Sequence, residues 1–438
     1  MRSQTRKAAL ILLLACLTAN LAACAPGVQA TPPGNPPQNV VLLQSKIQRE
    51  ASPDADAQEL KELVAGDSAF AFDLYQALRG RPGNLFYSPY SLSIALAMTY
   101  GGTRGETERQ MATTLHYTLP QEQLHPTFNA LDLALAGTGD QQDGAFQLAV
   151  ANSLWNQQDF PFRQEFLDLL AKNYASGLRL VDYIDEAQRE QARQAINNWV
   201  SAATHGKIDE LIEKGILTNA TRLVLANAIY FKGEWSEPFL NGTQEAPFTR
   251  LDGSQVNAPT MSRRATTPYA AGEDYQAVDL PYKGGRIAML VLLPADGQFG
   301  AFESRLNQEQ VQATLQNLQA SDVKLYVPKF QFSATYELNG ALKTMGMPDA
   351  FDMQRADFSG MYDPQKVASN LYLSHVVHKA FVAVDEIGTE AAAASGVVAE
   401  ATSMPVVLRI DRPFIFLIHD LQTGTILFAG RLVDPLAE

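Results

Sequence analysis

Cysteine is nearly absent. The two that occur, Cys16 and Cys24, both lie near the N-terminus. The remaining chain can form no internal disulfide, thiol nucleophile or cysteine metal site. Basic runs are also absent beyond the first residues, and the formal net charge is −13, so a nucleic-acid partner is not expected. No apolar run reaches the eighteen or so residues that read as a membrane-spanning helix. Catalytic signatures are missing as well. No G-x-S-x-G and no H-E-x-x-H occurs, and none of the six histidines has Asp three residues before it. Gly66-Asp67-Ser68 therefore reads as a helix cap and not as a lipase nucleophile. His375 and His378 are three apart in a strand-like segment and form no metal signature, so neither a metal nor another cofactor is expected.

Enough apolar material is present for a large core: 46% of the 438 residues are hydrophobic and 18% charged. Arg2, Arg6 and Lys7 precede a short apolar run from Ala8 to Leu17, the pattern of an export signal. It ends at Leu21-Ala22-Ala23-Cys24, which resembles a bacterial lipobox, so residues 1–23 are expected to be removed and Cys24 lipidated. A Pro, Gly, Gln and Asn-rich stretch follows. Residues 24–58 are expected to act as a tether and residues 59–438 as one domain. This places the protein outside the cytoplasm, anchored at a bacterial cell surface or envelope through Cys24, or otherwise extracellular.

Helix signals come first in the domain. Asp67 or Ser68 can cap a helix that Gly80 ends. Ser88-Pro89 opens a second, which runs to Gly101-Gly102. Gly105-Glu106 opens a third. Strand signals follow at 223–231 and 287–294, in the alternation of Val323, Leu325 and Val327, and in two runs flanking Gln422-Thr423-Gly424. Clustered helices and long strands indicate an α+β domain.

The segment 388–401, "GTEAAAASGVVAEA", has few large side chains. Its residue parity is informative. Odd positions from Thr389 to Ala401 carry no charge, and both Glu390 and Glu400 are even. As a strand it would place small side chains on a core and both glutamates in water. About a dozen residues entering a sheet, at about 0.5–1.5 kcal/mol per hydrogen bond, would release on the order of 10 kcal/mol. A fold that withholds such a strand is metastable, and a cut in the loop would free it.

Nine motifs in order carry a family resemblance. They are "NLFYSPYSLSIALAMTYGGTRGET" (84–107), "NSLW" (152–155), "INNWVSAATHGKI" (196–208), "LANAIYFKGEW" (225–235), "VPKFQF" (327–332), "DFSGM" (357–361), "VHKAFVAVDEIGTEAAAA" (377–394), "RPFIFLI" (412–418) and "LFAGRLVDP" (427–435). Across nearly all of 64–435 the chain resembles a serpin. The resemblance implies a fold of three β-sheets with eight or nine α-helices and an exposed reactive-centre loop. It implies a monomer that is not an enzyme. A serine protease cuts the loop, and the loop inserts into the largest sheet with the acyl-bound protease attached.

Roles carry over by position. Glu386, Gly388, Thr389, Glu390, Ala391, Ala392, Ala393 and Ala394 correspond to the hinge. Counting back from Pro413 places the reactive bond at Thr402–Ser403. Ser88, Ser91, Asn227 and His378 correspond to the polar cluster beneath the sheet centre. Trp235 and Lys329 correspond to the top of the sheet, with Lys329 paired to Glu386. The small Thr402 suits elastase-like or subtilisin-like pockets, so those serine proteases are the expected partners. The alternative within the family is a non-inhibitory serpin acting as a binding or chaperone-like protein.

Overall fold

A computed structural model of the chain describes residues 40–136, 146–389 and 404–437. Among them are nine helices: α1 (Ala57–Leu78), α2 (Pro89–Tyr100), α3 (Gly105–Thr114), α4 (Gln121–Ala136), α5 (Gln164–Tyr174), α6 (Glu186–Ala203), α7 (Phe299–Arg305), α8 (Gln308–Gln316) and α9 (Asn339–Met345). The strands are β1 (Val41–Leu43), β2 (Leu85–Tyr87), β3 (Phe146–Gln157), β4 (Leu178–Val181), β5 (Leu223–Glu234), β6 (Thr243–Thr249), β7 (Gln255–Ala271) and β8 (Tyr275–Pro281). They continue with β9 (Ile287–Pro294), β10 (Gln319–Pro328), β11 (Phe330–Glu337), β12 (Leu373–Val384), β13 (Gly388–Thr389), β14 (Val406–Arg409), β15 (Phe414–Asp420) and β16 (Ile426–Leu432).

The main sheet has the order β1-β4-β3-β5-β13-β12-β11. The other nine strands form one hydrogen-bonded network, β14-β10-β7-β8-β9-β15-β16-β2, with β6 on β7. Here the second and third sheets share the 17-residue β7. Its start pairs with β6, its middle with β10, and its end with β8.

The main sheet is covered on both faces, which is why β5 is apolar from Leu223 to Phe231 apart from Asn227. One face meets the principal core, including α2, every residue of which is buried. The other face meets α6. There Ala192, Ala195, Ile196 and Val200 pack over Ala151, Trp155, Ala226, Ala228 and Val377 in a second apolar cluster. The expected caps of α2 hold. The Ser88 hydroxyl accepts the Ser91 N–H at 3.1 Å, Pro89 fills the first turn, and Gly101 ends the helix. The hairpin at 422–424 also holds, with Gly424 at φ 78° joining β15 to β16.

Two expectations need correction. Helix α1 starts at Ala57, not at Asp67 or Ser68. Asp56 and Glu59 form a reciprocal capping box there, each side chain taking the other's backbone N–H. Asp67 instead lies buried in mid-helix. Neither carboxylate oxygen has a hydrogen-bond partner, and burial lifts the carboxyl to about 7. The second correction concerns the tether. From residue 40 onward the stretch belongs to the domain. Val41–Leu43 pairs antiparallel with β4, Ser45 donates to Asp168 at 2.5 Å, and Arg49 binds Asp132 at 2.6 Å.

Asp67 makes stability pH-dependent. An unfolded aspartate titrates near 3.9, so the folded chain holds an extra proton between about pH 4 and about pH 7. Stability falls as pH rises through that window, and the penalty is complete above it. Asp67→Asn is expected to reduce the loss of thermal midpoint between pH 5 and pH 8, read by calorimetry. An unchanged loss would contradict this account.

Candidate functional site

Strands β5 and β12 meet in a parallel seam at the middle of the main sheet. They pair directly from Leu223 and Leu373 up to Tyr230 and Phe381. Above that level the seam is occupied. After Val384 the chain reverses through Asp385. Its carboxylate accepts the N–H groups of Ile387 at 2.9 Å and Gly388 at 3.2 Å, and its own N–H donates to the Gly388 carbonyl. The reversed chain enters the sheet as β13, antiparallel to both neighbours. Gly388 lies opposite Glu234, and Thr389 lies opposite Gly233 and Val384.

Glycine is required at 388. A Cβ there would sit 2.0 Å from the Gly233 carbonyl oxygen and 2.7 Å from the Glu234 Cα, both backbone atoms. Thr389 is fully buried, and its hydroxyl shares a 2.7 Å hydrogen bond with Tyr282.

The top of the seam is braced. Trp235 is fully buried and stacks on Tyr282 at 4.5 Å and 16°. Its indole N–H donates to the Asp385 carbonyl at 3.0 Å, and its backbone N–H donates to the Ile387 carbonyl at 2.7 Å. Lys329 forms an ion pair with Glu386 at 2.8 Å, and the Thr243 hydroxyl also donates to Glu386. Burial alone would raise the Glu386 carboxyl. The bonds from Lys329 and Thr243 outweigh it and hold the group below the ordinary range.

A polar cluster lies lower on the same seam. Asn227 of β5 and His378 of β12 are direct register partners. The His378 Nδ1–H donates to the Asn227 Oδ1. On the other side of the ring, Nε2 accepts the Ser88 backbone N–H at 3.1 Å. Both ring nitrogens are therefore used by a neutral imidazole, and complete burial lowers the ring's pKa to about 3. The Asn227 amide donates to the Ser91 hydroxyl at 2.6 Å, to the Ser91 carbonyl at 3.1 Å, and to the Asn152 side chain. The Ser88 hydroxyl donates to the Leu427 carbonyl at 2.6 Å. One network thus ties β5, β12, β3 and the first turn of α2.

Ser88, Ser91, Asn227 and His378 are brought together, as are Trp235, Lys329, Glu386, Gly388 and Thr389. Glu390, Ala391, Ala392, Ala393, Ala394, Thr402, Ser403 and Cys24 lie outside the described residues. Four participants were not singled out from sequence: Asn152, Tyr282, Thr243 and Asp385. Asn152 had a signal, as a polar residue inside the "NSLW" strand motif. Tyr282 lies 107 residues before Thr389 and gave none.

Chemically, the site can receive a strand. A segment continuing β13 downward would part eight direct β5–β12 pairs. It would replace one parallel ladder with two antiparallel ones, which are slightly more stable per residue. Among the described residues, no group of three or more His, Cys, Asp or Glu side chains could hold a metal ion.

Comparison with known proteins agrees with this geometry. Residues 65–435 match the family model described as serpin, serine protease inhibitor. The chain is 38% identical to a leukocyte elastase inhibitor of Sus scrofa over 390 residues, covering 86% of this chain and all of the relative. It is 37% identical to an uncharacterized serpin-like protein of Thermococcus kodakarensis, covering 86% of each. Among solved structures it is similar to tengpin, a thermophilic serpin in the native state. That match has a TM-score of 0.80 at 27% identity and covers 90% of this chain and 100% of tengpin. It is also similar to uncleaved ovalbumin, with a TM-score of 0.76 at 28% identity, covering 85% and 100%. With this match over most of its length, and with a strand seated in a parallel seam of its main sheet, the chain belongs to the serpin family.

Proposed function

We propose that the protein is a suicide inhibitor of elastase-like or subtilisin-like serine proteases. The protease cuts Thr402–Ser403, remains joined to Thr402 as an acyl-enzyme, and is carried along as the freed loop enters the main sheet between β5 and β12. The observation that carries this reading is β13. Thr389 is buried and already antiparallel to both neighbours, the orientation a full insert would take. The small side chains from Ala391 to Ala394 suit continued entry, and Thr402 suits a shallow specificity pocket. The leukocyte elastase inhibitors among the relatives support the same class of target. The chain is proposed to act as a monomer held at the outer face of a cell by lipid on Cys24. Labelled fatty acid incorporated in the wild type but not in Cys24→Ser would support that anchor, and no incorporation would remove it.

Cleavage itself gives the test of insertion. A dozen new strand residues are worth on the order of 10 kcal/mol. For a domain of this size that raises the thermal midpoint by on the order of 10 °C. The cut chain, with its two pieces still associated, is expected to unfold at least that much later than the intact chain in a calorimetric scan. A cut chain with an unchanged or lower midpoint would contradict insertion.

A further inference from the structure

Strand β14 leaves the reactive loop and joins β10 and β7, and the register of these strands brings together one outward face. Arg264, Lys324 and Val407 lie in one row, and Ser262, Tyr326 and Arg409 in the next. Arg264, Lys324, Val407 and Arg409 are exposed. The Arg409 guanidinium sits 3.9 Å from the centre of the Tyr326 ring, and the Lys324 ammonium lies 5.6 Å from it on the same ring. Arg264 binds Asp322 at 2.6 Å. Among the described residues neither Lys324 nor Arg409 has a carboxylate partner within ion-pair distance. A groove of about 280 Å³ opens beside Tyr326 and Arg409, with Phe248 and Pro247 in its lining.

Arg264 and Lys324 are direct cross-strand partners; Asp322 relieves that like-charge placement at Arg264, and Lys324 and Arg409 flank the Tyr326 ring. The cations are also gathered on a chain whose net charge is −13. That overall charge repels an extended polyanion, whereas a compact partner needs to meet only the patch. An aromatic ring flanked by cations, with apolar Val407 beside it, has the composition of a protein contact. Its position names the partner. Arg409 follows Ser403 by six positions, so chain geometry keeps them within about 22 Å. A protease of about 250 residues has a radius of gyration of about 18 Å. One that holds the reactive bond therefore reaches this face, and a standard interface needs about 20–30 residues a side, more than a bait loop supplies.

We propose that the outer face of β7, β10 and β14 is a second contact for the protease engaged by the loop, selecting proteases that are acidic beside their active-site cleft. This rests on the inhibitor reading above and deepens it by naming a surface of the target. Steering by such a patch acts on the association rate.

The test uses the full exported chain and two proteases, one acidic and one basic, each chosen because it cuts the intact wild-type loop. The second-order rate at which intact chain is consumed is measured for the wild type, for Lys324→Glu/Arg409→Glu, and for the milder Lys324→Gln/Arg409→Gln. The ratio of the acidic to the basic rate does not depend on how much variant is folded. At about 0.05 M salt the glutamate variant is expected to lower that ratio at least about tenfold and the glutamine variant severalfold. At about 1 M salt, where screening acts within about 3 Å, the differences should collapse. A ratio that neither variant moves by more than about twofold at low salt would overturn the inference. Consumption that yields only cut chain, with no covalent complex, would instead count against the inhibitor reading, and the rate ratio would still decide the role of the face.

Discussion

Replacing Thr389 with arginine is expected to convert the protein from inhibitor to substrate. Thr389 is fully buried between β5 and β12 beneath Tyr282. An arginine there would bury a charge in a space shaped for threonine, a cost of several kcal/mol. The intact chain escapes that cost by leaving β13 out of the sheet, where two of the described residues are paired. The cut chain cannot escape it, because every further residue must follow 389 through the seam. Insertion then stalls while the acyl-enzyme hydrolyses. Gel analysis with a subtilisin-like protease should show the covalent complex reduced by at least about tenfold and cut chain in its place. The same variant should lose the rise in thermal midpoint on cleavage. A yield of complex equal to the wild type would show that 389 does not enter the sheet.

The second large effect is expected at the polar cluster. Replacing His378 with leucine leaves the Ser88 backbone N–H and the Asn227 Oδ1 without their partners in a fully buried site. Each orphaned group costs about 1–3 kcal/mol. The loss falls on the closed seam, which His378 and Asn227 bridge directly. The variant should therefore unfold earlier than the wild type and lose inhibitory capacity on storage without being cut, because the seam opens unaided. Thermal scans and residual inhibition after incubation at 37 °C check both effects. Acid acts on the same bond. An unfolded histidine titrates near 6.5, so with the folded ring at about 3 stability falls as pH drops below about 6.5, down to about 3. In the leucine variant that part of the acid sensitivity is expected to disappear. A variant as stable and as durable as the wild type would remove His378 from the account.

Much of this was legible in the chain, for local reasons. Ser88-Pro89 and Gly101 bound α2 because cap chemistry is written within a few residues. β5 is apolar on both faces apart from Asn227 because α6 covers the face turned away from the main core. The parity reading correctly turned Thr389 inward, and its remaining positions lie outside the described residues. The Lys329–Glu386 pair came from the family register, since 57 residues separate the two. What local sequence misplaced depended on distant partners. A buried aspartate in mid-helix resembles a cap until the true cap at Asp56 is seen. Residues 41–43 become a strand only because β4, far along the chain, is there to pair with them. Tyr282 likewise acquires a role only when Trp235 and Thr389 are folded against it.

One measurement bears most directly on the central claim. The chain is mixed with an elastase-like or subtilisin-like protease and the products are boiled in detergent and separated. The account predicts a band at the summed mass of the protease and the chain lacking its C-terminal piece, together with a released fragment whose first residue is Ser403. Cut chain and free, active protease with no such band would contradict it.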